Sequence, residues 1–328
     1  MLLQAEGIKV VPGSVDRTEP VIAVEHLHKA YGPVAAVEDV SFAVNEGEIF
    51  GILGRNGAGK TTTVECITGL RQPDRGTISV LGLDPQHDRR ELHERVGVQL
   101  QDSALPDRIR VAEAVELYAS FYREPADGHE LLATLGLEHA RDQAFAKLSG
   151  GQKQRLSIVL ALIGQPEIAV LDELTTGLDP EARRETWALI EGVRDRGVTI
   201  VLVTHYMEEA ERLCDRVALI DHGNVIALDH PAALGHTTRT SQRVRLTAPE
   251  GFDDGLLRAL PEVSGVEHHG RDLVVIGSGD LLTAVVLAFD RAGLRPQDLR
   301  PETANLEDAF LALIDETTQA TTDTETKR

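Results

Sequence analysis

Glu48-Ile-Phe-Gly-Ile-Leu53 runs directly into Gly54-Arg-Asn-Gly-Ala-Gly-Lys-Thr-Thr62. The first six residues read as a short buried strand. The next nine read as a loop that opens a helix near Lys60. The spacing Gly54-x4-Gly59-Lys60-Thr61 is that of a loop built to surround phosphate. Gly54, Gly57 and Gly59 let successive backbone N–H groups curl around an oxyanion without Cβ clashes. The helix adds its positive end. Lys60 is placed to reach the β- and γ-phosphates of a nucleotide, and the Thr61 hydroxyl to meet Mg2+.

Three further stretches carry polar groups to the ends of apolar runs. Ile168-Ala-Val-Leu171 leads into Asp172-Glu173. Carboxylates at the C-terminal end of a buried parallel strand lie on the ligand side of an α/β sheet. Asp172 is placed to hold Mg2+ through water, and Glu173 to act as general base on an attacking water. Val198-Thr-Ile-Val-Leu-Val-Thr204 ends in His205, within reach of a γ-phosphate. Leu148-Ser-Gly-Gly-Gln152 precedes a helix expected over 153–163, with Leu156, Val159, Leu160 and Ile163 as its apolar stripe. The Ser149 hydroxyl with the Gly150 and Gly151 amides forms a second anion site at that helix's start.

The chain has 328 residues, about two domains. Hydrophobic residues make up 42% and charged residues 26%, ordinary for a folded globular protein. A net charge of −20 repels phosphate backbones and argues against nucleic-acid binding. Two cysteines cannot build a disulfide scaffold and fit a reducing compartment. No apolar run approaches a membrane span. The sequence therefore predicts a cytoplasmic protein whose membrane role needs a partner. Alternating apolar runs and amphipathic stretches predict an α/β domain with a mostly parallel sheet over 21–236. A polar Thr-rich joint follows, then a small α+β domain over 237–315. Its expected strands are Val244–Leu246 and Asp272–Ile276. Its expected helices are Asp280–Ala292 and Leu306–Ile314, the last capped by Asn305. Residues 1–20 read as a flexible leader and 316–328 as a disordered tail.

Taken together and in this order, these motifs resemble the nucleotide-binding subunits of ABC transporters, from Val21 to about His230. The resemblance implies a P-loop NTPase fold: a mixed sheet with helices, plus a helical signature subdomain. Walker A is Gly54–Thr62, bringing Asn56 and Thr62 into the ATP site with Gly54, Gly57, Gly59, Lys60 and Thr61. The Q-loop glutamine is Gln101, implied as a Mg2+ ligand and catalytic group. The signature is Leu148–Gln152, so Ser149, Gly150, Gly151 and Gln152 contact nucleotide. Walker B ends at Asp172, with Glu173 catalytic. The D-loop is Leu178-Asp179, the switch histidine is His205, and Tyr31 is the ring that stacks on adenine. The family usually has Pro after the catalytic Glu, where this chain has Leu174. No catalytic group is missing, so activity is expected to survive that exchange.

The resemblance also implies head-to-tail homodimers, each ATP closed between the Walker A of one copy and the signature of the other. It implies a separate transmembrane permease that seats this subunit on the inner face of the membrane. Leu117, Tyr118, Phe121 and Tyr122 are candidates for that contact, with core packing expected for most of them. Val203-Thr-His-Tyr-Met-Glu-Glu-Ala-Glu-Arg-Leu-Cys-Asp-Arg216 and Leu306-Glu-Asp-Ala-Phe-Leu311 resemble the multidrug, daunorubicin-resistance and nodulation-type exporter branch. An importer subunit is the alternative reading. Non-transport relatives fit less well. Lys60 and Ser149 are too close for an inserted coiled coil, and the chain has a single set of motifs.

Overall fold

Nine strands pair into one sheet in the first of two compact units, which divide between Pro231 and Ala232. The computed structural model describes residues 19–100, 105–237, 242–249, 252–270, 272–302, 306–311 and 313–314. Gln101, Asn305, the leader up to residue 18 and the 316–328 tail lie outside the described residues.

The first unit contains β1 (Ile22–Tyr31), β2 (Val34–Val44), β3 (Ile49–Leu53), β4 (Arg75–Val80), β5 (Val96–Gln99), β6 (Ile168–Asp172), β7 (Thr199–Thr204), β8 (Arg216–Asp221) and β9 (Asn224–Asp229). Its helices are α1 (Lys60–Ile67), α2 (Arg89–Arg95), α3 (Val111–Ala119), α4 (Gly128–Thr134), α5 (Gly150–Leu162), α6 (Pro180–Arg194) and α7 (Met207–Leu213).

The sheet order is β4-β1-β2-β9-β8-β3-β7-β6-β5. Strands β8, β3, β7, β6 and β5 are parallel, as the apolar runs predict. Every residue of β3, β6 and β7 is buried, the pattern of a parallel sheet covered on both faces. In the other half β1 pairs antiparallel with β2 and β4, which gives the mixed sheet that the resemblance implies. Only Gly32-Pro33 separates β1 from β2, and two residues can close only a hairpin. The sheet is therefore mixed. Its core includes Val24, Phe42, Phe50, Ile52, Val64, Val170, Val203 and Ile220.

Between β5 and β6 the chain leaves the sheet. Helices α3 and α4 pack on each other and on α5, forming the helical insertion that carries the Leu148–Gln152 motif. Helix α5 starts at Gly150, three residues earlier than the sequence reading. Ser149 caps it: its Oγ accepts from Gln152 N, and the Gln152 side chain returns a bond to Ser149 N. This reciprocal box outweighs the poor helix propensity of Gly150-Gly151.

The division falls after the first residue of α8 (Pro231–Thr237), and the rest of that helix opens the second unit. It continues with β10 (Gln242–Thr247), α9 (Gly255–Arg258), β11 (Val263–His269), β12 (Asp272–Gly277), α10 (Leu281–Arg291) and β13 (Gln297–Glu302). The four strands are all antiparallel in the order β11-β12-β10-β13. That is the β-α-β-β-α-β split arrangement. Val244, Leu246, Leu273, Val275, Val285 and Phe289 fill its core. Residues 306–311 and 313–314 are helical, and Leu306, Ala309, Phe310 and Ile314 are buried as their spacing predicts. Strands β11 and β13 are additional to the sequence reading.

Candidate functional site

The loop between β3 and α1 wraps tightly because two of its glycines have no room for a side chain. A Cβ on Gly54 would lie 2.1 Å from the Ile220 carbonyl oxygen. Gly59 has φ 104° and would put a Cβ 2.3 Å from the Ala36 oxygen. Lys60 is 5% exposed and donates to the carbonyls of Gly54 (2.8 Å) and Arg55 (3.1 Å). Burial pulls its ammonium below the usual lysine range, against the opposing pull of Glu173 and Asp172. Asn56, Gly57 and Thr61 are exposed at the loop, and Thr62 is partly so.

Asp172 ends β6 with no exposure at all. Burial first, and the neighbouring Glu173 next, push its carboxyl up to about 6, against Lys60 and Thr61. Its Oδ2 accepts from Thr61 Oγ1 at 3.5 Å, while its buried Oδ1 has no hydrogen-bond partner. A hydroxyl beside an orphaned carboxylate oxygen fits a hard cation bound through oxygen. Among the described residues no three His, Cys, Asp or Glu side chains cluster as a metal site. A cation such as Mg2+ needs only one or two protein oxygens where phosphate and water supply the rest.

Glu173 follows at φ 49°, in the left-handed region. Holding a non-glycine residue there costs about 1–2 kcal/mol. Its N–H is tied to Val203 O at 2.9 Å, which aligns the turn after β6 with the end of β7. Proline at 174 would bias residue 173 toward extended backbone. With Leu174, fully buried, that restriction is absent. The Glu173 Oε1 lies 3.2 Å from His205 Nδ1. An ionised carboxylate only accepts, so Nδ1 carries the proton in that bond.

Tyr31 ends β1 and is 43% exposed. The guanidinium of Arg71 lies 5.1 Å from its ring centroid, and Arg71 Nε is bonded to Glu65 on α1. Asp74 fixes the same strand end by accepting from Ala30 N and Lys29 Nζ. Arg71 and Glu65 were not singled out by sequence. The only sequence signal is their proximity to the glycine loop, which does not reveal the pairing with Tyr31.

A second group gathers elsewhere in the unit. A cleft of about 420 Å3 is lined by Ser149, Gly150, Gly151, Gln152, Asp179 and His139, among others, and by no residue of Gly54–Thr62. Asp179 caps α6, accepting from Glu181 N and Ala182 N at 3.0 Å each. Those backbone N–H groups hold its carboxyl below the usual carboxylate range. The Gln152 side chain touches His139 Nε2 at 3.2 Å. The structure therefore brings Lys60, Thr61, Asp172, Glu173 and His205 into one group. Ser149, Gly150, Gly151, Gln152 and Asp179 form another.

A phosphate loop on a mixed sheet, with carboxylates ending the next strand and a helical insertion, defines a P-loop nucleotide hydrolase of the cassette type. The sequence matches the model of the ABC transporter family over residues 37–176. It is 38% identical over 305 residues to Nod factor export ATP-binding protein I of Burkholderia orbicola (strain AU 1054), covering 89% of this chain and 96% of that protein. The protein of the same name from Sinorhizobium fredii (strain NBRC 101917 / NGR234) is 37% identical over 322 residues, 94% of this chain and 91% of that one. Among solved structures, an ATP-binding subunit of an ABC transporter is similar with TM-score 0.60 and 30% identity, covering 66% of this chain and 92% of that one. A dimeric post-hydrolysis ATP-binding cassette with ADP and phosphate gives 0.58 and 27%, covering 64% and 98%. The chain belongs to the ABC transporter ATP-binding proteins. It is an ATP-hydrolysing subunit of a transporter.

Proposed function

We propose that this chain is the motor of an ABC exporter and closes head-to-tail with a second copy on ATP. The observation that carries the export reading is coverage. Proteins named for Nod factor export match 89–94% of the chain, well past the 64–66% that solved cassettes match. The match thus includes the second unit. The composite site is supported by the division just described, since the phosphate loop and the Ser149 cleft share no residue. Each copy supplies half of two equivalent sites.

In that site the loop amides and Lys60 hold the phosphates. Thr61, Asp172 and Gln101 would hold Mg2+, which would supply positive charge against the charge developing on the phosphates. Tyr31 stacks on adenine. Glu173 takes a proton from water as the water oxygen bonds to the γ-phosphorus and the bridge to ADP breaks. His205, tied to Glu173 through Nδ1, leaves Nε2 for the γ-phosphate. Ser149 and the Gly150 and Gly151 amides meet the γ-phosphate from the other copy, with Gln152 and Asp179 flanking it. Loss of that bridge opens the dimer.

Among the described residues no helix is long and apolar enough to cross a membrane. A separate permease provides the pathway, selects the cargo (a drug, lipid or glycan) and holds this subunit on the inner face. Leu117 (46% exposed) and Phe121 (64%) give it an apolar foothold around the end of α3. Tyr122 instead crowds against Gly164. The test is affinity purification from the native membrane in mild detergent. A co-purifying multi-span permease is expected. A solute-binding protein in the complex would turn the reading to import, and a soluble partner alone would refute a transport role.

A further inference from the structure

Glu173 is not the only contact that fixes His205. The ring of Tyr206 lies beside it, centroid to centroid 4.1 Å at 40°. The guanidinium of Arg183 sits 4.6 Å from the Tyr206 ring centroid. Arg183 belongs to α6, and its N–H closes the first helical turn on the carbonyl of Asp179 at 3.0 Å. One turn further along, Trp187 Nε1 donates to Glu209 Oε1 at 3.0 Å, both side chains buried. Positions 183 and 187 share one face of α6. Residues 206 and 209 stand at the start of α7. The two contacts are therefore successive rungs between the same pair of helices.

The Trp187–Glu209 rung is buried, while Arg183 and Tyr206 are half-buried. Arg183 Nε and Glu209 Oε2 are both buried without a hydrogen-bond partner. Leaving a buried polar atom unpaired is costly, so the arginine is held here by packing and by the ring beneath it. A cation over an aromatic face is also directional. It resists tilting of the Tyr206 ring, and with it movement of the neighbouring imidazole.

We propose that Arg183 and Tyr206 are positioning residues for His205. They make the angle of the imidazole depend on the seating of α6, the helix that begins at Asp179. This rests on the reading of His205 as the γ-phosphate-facing group. Neither residue belongs to the loop between β3 and α1 or lines the Ser149 cleft. Their effect is on turnover and not on ATP capture, which falls to the loop between β3 and α1.

The test is steady-state ATP hydrolysis by the full chain carrying R183A, R183K, Y206A, Y206F or H205A. R183A and Y206A are expected to lower kcat tenfold or more with KM for ATP within twofold of wild type. Y206F keeps the ring and is expected to remain within twofold in kcat. R183K keeps a cation over the ring and is expected to recover part of the loss. The His205 ring protons, assigned by their disappearance in H205A, are expected to move when Arg183 becomes Lys or Ala. Wild-type kcat in R183A and Y206A beside an inactive H205A overturns the positioning role. So does an unmoved His205 signal, or a loss in Y206F as large as in Y206A. Full activity in H205A instead overturns the reading of His205 on which the proposal rests.

Discussion

Replacing Asp172 by Asn should stabilise the first unit while ending Mg2+-dependent turnover. The carboxyl is wholly buried and pushed up to about 6 from an ordinary 3.8, mainly by burial. An acid with a raised folded pKa binds its proton more tightly in the folded state, so its ionised form is the destabilising one. The penalty is nearly absent below pH 4, grows through pH 5 and is complete somewhat above pH 6. The gap between the two values corresponds to about 3 kcal/mol at pH 8, and to about half of that at pH 5. Asn imitates the protonated acid in shape. The influence of Lys60 and Glu173 is already contained in the value near 6. The assay is urea unfolding in EDTA at pH 8 and pH 5, read by fluorescence. Trp187 is the only tryptophan and is buried in α6, so the signal reports this unit. The Asn variant should be the more stable at pH 8, with its advantage shrinking on acidification. Equal or lower stability at pH 8, or a gap indifferent to pH, would refute the reasoning.

Three other outcomes are expected. Glu173→Gln should bind ATP, lose at least a hundredfold in kcat and elute as a dimer with ATP and Mg2+; a monomer at saturating nucleotide argues against the composite site. Arg71→Ala should weaken ATP binding about two- to fivefold, the range of an exposed cation–π contact. It should leave tripolyphosphate binding untouched, and calorimetry showing both ligands weakened alike would mean that Arg71 supports the loop and not the Tyr31 ring. A chain ending at Thr237 should still unfold cooperatively by Trp187 fluorescence; a non-cooperative or collapsed transition would show that the first unit depends on the second.

The parts legible in the sequence were those written locally. Glu48–Leu53 and Ile168–Leu171 announce themselves as buried strands, and the polar residues just beyond them mark the site. Ser149 and Gln152 also carried their capping box in plain view, yet Gly150-Gly151 reads as loop because the box is worth more than propensity suggests. Pairings between distant stretches were not legible. Nothing near Tyr31 points to Arg71, and nothing near His205 points to Arg183 more than twenty positions upstream. The strand order was equally hidden. The apolar runs of β8 and β9 say that they are strands, but not that they enter between β2 and β3. Similarly, β11 and β13 are only partly buried and rich in polar residues, so their period was too weak to separate them from loops.

That insertion has a consequence for how the chain is made. Strand β3, buried at all five residues, has β7 and β8 as its neighbours, and both are translated long after it. At about 5–20 residues per second, synthesis from Leu53 to Arg216 takes about ten to thirty seconds. Throughout that interval the growing chain presents β3 with neither flank covered. The β1–β2 hairpin, in turn, can join the parallel half only once β9 has left the ribosome. A pause in translation between these points would lengthen the exposure of a strand that the finished fold buries completely, which makes the codons between β3 and β8 part of the protein's solubility.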